Sequence, residues 1–224
     1  MSASVTKGPL AALRRYAQPR AAEEHCDLCS VRLAPAHRHL LELASRRIFC
    51  SCDACAMRFQ GVIGARFKLV PRDARPLPGM ELSDAQWEGL ALPINMAFFF
   101  FSTPAGKMMA LYPSPAGATE SLLPLETWDI LVAANPALGE MEADVEALLV
   151  NRVGGRRDYF IAPIDVCFEL AGLIRMHWRG LSGGEVVWGK IDEFFGRLRA
   201  VTGIGAKDTK DYKGTIDGGV VCLT

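Results

Sequence analysis

The spacing of apolar and polar residues divides the chain into two regions of different character. In the first, His37-Arg-His-Leu-Leu-Glu-Leu43 and Arg47-Ile-Phe-Cys50 read as the strands of a hairpin that turns at Ala44-Ser-Arg46. Asp53-Ala-Cys-Ala-Met-Arg-Phe59 then reads as a short helix. Pro71-Arg-Asp-Ala-Arg-Pro-Leu-Pro-Gly79 carries three prolines and a glycine, and so marks a linker.

Beyond it, Ser83 is a suitable N-cap, and Gln86 stands three residues on, as a capping box requires, so a short helix through Trp87 is expected. Met96–Phe101 has the composition of a buried strand, Ser102–Lys107 of a turn, and Met108–Tyr112 of a second strand. Pro113-Ser-Pro-Ala-Gly-Ala-Thr-Glu120 reads as a loop. Leu125–Ala134 has helical spacing, with Trp128, Leu131 and Val132 on one face, and Asn135-Pro136 ends it. Val145–Arg152 and Asp158–Pro163 pair as a hairpin across Gly154-Gly155. Val166–Trp178 fits a strand or a helix, because Gly172 at its middle weakens the helical pattern. Gly180–Gly184 is a turn, and Val187, Ile191, Phe194, Phe195 and Leu198 define a long helix over Glu185–Val201.

The resulting organisation is a lead-in over 1–24, a cysteine module over 25–70 and a linker over 71–81. An α+β domain with antiparallel strands follows over 82–203, then a tail over 204–224 without periodicity.

Half of the residues are hydrophobic and 22% are charged, a globular composition. The apolar run Leu92–Phe101 is about half the ~20 residues of a membrane span, and Pro93 and Asn95 interrupt it. The N-terminus lacks the continuous apolar segment and cleavage site of a signal peptide, so the expectation is a soluble, cytoplasmic protein. The net charge is zero, but residues 1–79 hold 13 Lys+Arg against 6 Asp+Glu, and the remainder 12 against 19. Either the two parts neutralise each other across a shared interface, or the first presents a basic surface to nucleic acid or an acidic protein.

Five of the seven cysteines fall between residues 26 and 55, in tight groups, which in a chain without a signal peptide favours metal over disulfides. Cys26-x2-Cys29 and Cys52-x2-Cys55 would supply four thiolates to one tetrahedral ion. Cys50 competes with Cys52, since the two share a side of an extended segment; the CxxC chelate favours Cys52. Zinc is the expected ion, and iron in a rubredoxin-type site is the alternative. Rubredoxin knuckles usually carry a glycine after each pair, where this chain has Ser30 and Ala56. A closed four-thiolate site implies a structural role.

A knuckle, a hairpin and a helix opening on the second pair resemble the treble-clef class of zinc fingers. Some treble clefs are nucleases with a hairpin histidine, and His37 and His39 sit near that place. The aspartate that usually precedes the histidine is absent, and the helix after Cys55 offers no His or Asn.

In the second region the polar residues set among apolar ones are Glu120, Asp165, Glu169 and His177. Asp165 and Glu120 could line an enzyme pocket, although an Asp in this context more often caps a helix or turn and His177 reads as a core histidine. Cys167 reads as a small buried hydrophobe, and Cys222 as a free thiol on the tail. No P-loop, nucleophile elbow, dinucleotide fingerprint or metalloprotease motif is present.

Several strings together carry a resemblance. They are Cys26-Asp-Leu-Cys29 with Cys50-Ser-Cys-Asp-Ala-Cys55, Leu111-Tyr-Pro-Ser-Pro-Ala-Gly-Ala-Thr-Glu-Ser-Leu-Leu-Pro124, and Pro163-Ile-Asp-Val-Cys167 followed by His177-Trp-Arg-Gly180. Over about residues 10–200 the chain resembles an uncharacterised bacterial family often encoded beside high-affinity nickel–iron uptake hydrogenases. The resemblance implies a role around hydrogenase assembly or operation and transfers no active site. The leading expectation is therefore a non-enzymatic zinc protein that binds a protein partner, such as a hydrogenase subunit or maturation factor. The alternatives are a nucleic-acid-binding regulator, an iron electron-transfer protein, and an enzyme with a pocket at Asp165 and Glu120. The Phe98–Phe101 run and the basic region are candidate contact surfaces.

Overall fold

The computed structural model describes residues 23–60, 66–121 and 128–203. The lead-in up to residue 22, the tail from residue 204 with Cys222, and residues 122–127, which include 125–127 of the expected third helix, lie outside the described residues.

The cysteine module holds a three-stranded antiparallel sheet. Strand β1 (Arg38–Glu42) sits between β2 (Arg47–Ser51) and β3 (Phe67–Leu69), with His39 opposite Cys50 and Leu40 opposite both Phe49 and Leu69. The β1–β2 hairpin turns as its sequence predicts, with Arg46 at a positive φ of 58°. Helix α1 covers Asp53–Phe59.

The second sheet has six strands in the order β4-β9-β8-β5-β6-β7, every neighbouring pair antiparallel. Its strands are β4 (Arg75–Pro76), β5 (Met96–Ser102), β6 (Lys107–Ser114), β7 (Gly117–Glu120), β8 (Glu146–Asn151) and β9 (Asp158–Pro163). Helix α2 (Asp84–Gly89) starts at the expected capping box, in which Ser83 Oγ accepts from the Gln86 amide and Gln86 Oε1 accepts from the Ser83 amide. The described part of α3 is Trp128–Ala134. Helices α4 (Ile164–His177) and α5 (Glu185–Val201) complete the fold.

Side chains alternate across the sheet and fill two separate cores. Met96, Phe98, Phe100, Met109, Leu111, Leu149 and Phe160 face α4 and α5, meeting Leu170, Ile174, Ile191 and Phe195. Ala97, Phe99, Ala110, Leu148, Val150 and Tyr159 face the other way, toward Trp87, Leu131 and Leu138. A strand buried on both faces must be apolar at every position, which accounts for the phenylalanine run. Phe98, Phe99 and Phe100 are therefore core and not a contact surface; only Phe101 emerges, 41% exposed.

Two stretches differ from their sequence reading. Residues 113–120 are not a loop: β6 continues to Ser114 and pairs with β7, with Pro113 opposite Ala118. The β5 ladder ends at Leu111, so the N–H that Pro113 lacks would have had no partner there. Val166–Trp178 resolves as helix, since Ile164, Cys167, Leu170, Ala171, Leu173 and Ile174 bury one stripe, and packing overrides the cost of Gly172. Within the stretch read as a linker, Arg75–Pro76 forms β4 against Ile161 and Phe160, an edge position where proline is tolerated.

Part of the charge asymmetry is paired between the two regions. Lys68 pairs with Glu142 (3.4 Å) and Asp144 (3.7 Å) and donates to the Ala143 carbonyl; Arg75 forks onto Glu146 at 3.0 and 3.1 Å; Arg46 reaches Glu120 at 4.0 Å. Three cations of the basic part thus face four carboxylates of the acidic part, as mutual neutralisation requires. Apolar contact joins the regions too, because Leu41 and Val70 belong to the core beneath α4 and α5.

Candidate metal centre

The first cysteine pair sits on a turn closed from both sides. Cys26 N–H donates to Val31 O (2.8 Å) and Ser30 N–H to Cys26 O (2.7 Å). Ser30 takes φ = 60°, the left-handed conformation that a glycine usually supplies after such a pair. The turn is tied to the hairpin through Asp27, whose N–H donates to Cys50 O (2.9 Å) while its carboxylate accepts the Cys50 N–H (2.7 Å).

The second pair is held differently. Strand β2 ends at Ser51, and Cys52 becomes the N-cap of α1, its sulfur accepting from the Cys55 N–H at 3.5 Å. Cys55 follows in the first turn of the helix.

The sulfurs of Cys26, Cys29, Cys52 and Cys55 all lie within 4.8 Å of one another, and Cys29 Sγ to Cys52 Sγ measures 3.7 Å. A tetrahedron with Zn–S bonds of about 2.3 Å has edges of about 3.8 Å, so this separation suits two ligands of one ion and is far too long for a disulfide. The four residues can therefore hold a metal ion.

Their proton affinities diverge. Burial raises that of Cys26, but N–H groups of Cys52, Leu28 and Cys29 directed at its sulfur outweigh burial and lower its pKa to about 7. Burial and the neighbouring cysteines push Cys55 up to about 12. The Val31 N–H favours the thiolate of Cys29, yet its contacts with Cys26 and Cys52 leave it above the usual thiol value. One early thiolate among reluctant thiols is what four sulfurs sharing one negative charge produce; a divalent cation removes the conflict.

Cys50 is not in this cluster. Strand β2 ends at Ser51 and Cys52 caps α1, while the buried Cys50 sulfur groups with His37 and His39 instead. His39 Nδ1 lies 2.6 Å from Asp165 Oδ2, across 126 positions of sequence. Asp165, in the first turn of α4, also accepts from the N–H of its neighbour Val166 (2.8 Å). Sequence reasoning set His37 and His39 aside as solvent-facing, whereas their side chains are only 4% and 8% exposed. The available signal was the register: an i, i+2 histidine pair on a strand has one face, and Cys50 lies opposite His39.

The other polar candidates are engaged separately. Glu120 pairs with Lys107 (3.7 Å) and Arg46; Glu169 pairs with Arg197 (2.8 Å), and burial holds its carboxyl above the ordinary range despite that cation. Cys167 is fully buried, and burial drives its thiol pKa up, as for a small apolar residue. His177 is half-buried at the end of α4 and not a core residue.

Residues 25–202 match the model of the Family of unknown function (DUF5947). The chain belongs to that family. The match spans the cysteine module and both cores of the larger sheet. No curated protein and no solved structure matches the chain. Among the described residues, no helix of this DUF5947 protein is long and apolar enough to cross a membrane.

Proposed function

We propose that the chain is a zinc-stapled, non-enzymatic accessory protein that binds a protein partner. The observation that carries the metal is the convergence of four sulfurs, from a knuckle and a helix start, on a tetrahedral edge of 3.7 Å. Knuckle, hairpin and helix in this order support a treble-clef-like module. Zinc is favoured over iron because the second pair sits on a helix instead of a second rubredoxin-type knuckle. Four thiolates fill the coordination sphere, so the role of the ion is to hold the knuckle against α1.

The partner reading rests on the hydrogenase-associated resemblance and on exposed apolar side chains beside the cysteines: Val31 is 49% and Met57 66% exposed. A nickel–iron hydrogenase subunit or maturation factor is the partner that resemblance implies. A nucleic-acid role is disfavoured, because Arg46, Lys68 and Arg75 are already paired within the chain.

Elemental analysis with a visible spectrum on protein purified without added metal or chelator tests the staple. One zinc per four-cysteine site and no colour is expected; thiolate-to-iron charge-transfer bands would replace the reading with electron transfer. If Cys26→Ser, Cys29→Ser and Cys52→Ser each kept full metal at that site, the ligand set would be wrong. Co-purification of a hydrogenase component with the wild-type chain, lost on Met57→Ser with Val31→Ser, is the outcome expected for the partner.

A further inference from the structure

His37 and His39 lie side by side in a group separate from the four cysteines. Both rings have one nitrogen already committed. His39 Nδ1 faces Asp165 Oδ2 at 2.6 Å, and a carboxylate can only accept, so that nitrogen carries the proton. His37 Nδ1 faces the Ala34 carbonyl at 3.0 Å, with Glu24 Oε2 3.6 Å away, so it too must donate. In the neutral rings the remaining nitrogens are then bare acceptors, and they point at each other: His37 Nε2 to His39 Nε2 is 3.2 Å.

Two lone pairs at that separation, on buried rings, need a positive charge between them. A proton is one solution, and it turns one ring into an imidazolium. A metal ion is the other, and three features favour it. With M–N bonds of about 2.0–2.1 Å, a 3.2 Å nitrogen separation corresponds to an N–M–N angle of roughly 100–106°, close to tetrahedral. The ring planes stand at 86°, so the two imidazoles approach without stacking against each other. The Asp165–His39 contact is the carboxylate–histidine arrangement that fixes the tautomer and raises the donor strength of ligating histidines.

We propose that His37 Nε2 and His39 Nε2 bind a borderline divalent transition-metal ion of the zinc type, with Asp165 orienting His39. Two protein nitrogens leave coordination positions open, unlike the closed sphere of four thiolates. The ion would also sit at a joint, since His39 belongs to β1 and Asp165 to α4.

The test is a Co2+ titration of the full chain whose four-cysteine site has first been filled with one equivalent of Zn2+. A second equivalent is expected, with visible ligand-field bands and without the strong near-ultraviolet sulfur charge transfer of a four-thiolate site. His37→Gln should weaken it by at least about 100-fold and Asp165→Asn by about 10–100-fold, with the zinc content at the cysteines unchanged. A titration that ends at the first equivalent, or a His37→Gln protein that binds the second as tightly as wild type, overturns the proposal. The 15N shifts of the wild-type imidazoles decide independently of any variant. On Zn2+ addition both Nε2 resonances should move to metal-bound values; unchanged resonances mean that the nitrogens share only a proton. Cys26→Ser separates this site from the zinc staple, since it should lose the four-cysteine metal and keep the histidine one.

Discussion

The two regions reach order by different means. The six-stranded sheet is covered on both faces, with fully buried Phe98, Leu149 and Phe195 on one side and Phe99, Leu148 and Val150 on the other. The cysteine module has three short strands and a helix of seven residues. Its buried apolar residues are few, and two of them, Leu41 and Val70, belong to the neighbouring core. One side of its hairpin therefore leans on the larger domain, and the other carries only a small cluster, in which Phe67 meets Phe49 and Phe59, beside the four sulfurs. A region too small to bury a core of its own needs a staple. The four cysteines, which can hold one metal ion, stand where such a staple would act, and the contrast is between a region ordered by packing and one equipped for ligation.

The comparison breaks if the module holds without metal. Cys52→Ser, or chelation of the wild-type protein, removes metal-binding free energy on the order of 10 kcal/mol. Hydrogen exchange should then accelerate at the Asp27 and Cys50 amides, which fasten knuckle to hairpin, while β8 and β9 stay protected. Retained protection at Asp27 and Cys50 would mean that packing suffices.

The sheet sharpens the contrast at the next scale. Phe98→Ala leaves a cavity in a dry core and should cost about 3–5 kcal/mol in denaturant unfolding. Phe101→Ala, three residues along the same strand and 41% exposed, should fall within about 0.5 kcal/mol. Comparable losses for the two would show that the alternation across the sheet is misassigned.

A smaller effect concerns acid. The Cys26 thiol ionises at about 7, below the usual thiol value, so above that pH the metal displaces no proton from it. As pH falls through about 7 the metal must displace one more proton, so affinity should drop by a further tenfold, about 1.4 kcal/mol, per pH unit. Cys55, near 12, surrenders its proton to the metal throughout the working range and adds a constant slope. In the metal-free protein the sign is the same: a depressed thiol pKa stabilises the fold fully above the unfolded value near 9, and that contribution is lost as pH falls through 7. A plot of metal affinity against pH that keeps one slope across pH 7 would remove Cys26 from the role of first thiolate.

Smallest is the cap of α2. Ser83→Ala removes the acceptor for the Gln86 amide and should cost about 1 kcal/mol in thermal or denaturant unfolding. No measurable loss would mean that Trp87 packing alone holds this helix.

What the sequence determined by itself was local. The hairpin about Ala44–Arg46, the helix Asp53–Phe59, the Ser83–Gln86 box and the helix over Glu185–Val201 each follow from signals only a few residues apart, where turn chemistry, capping and periodicity act. The four-cysteine set was legible for the same reason, since each CxxC is a local chelate and only its pairing is distant. Tertiary structure alone decided the rest. Residues 113–120 became strand because the free edge of β6 offered partners that no loop-like composition announces. Val166–Trp178 became helix because a sheet face had to be covered. The phenylalanines could not declare their two separate cores, because a strand buried on both faces has no alternation to read. His39 could not be assigned its carboxylate, because Asp165 is 126 residues away and only the docking of β1 beside α4 brings the two within 2.6 Å.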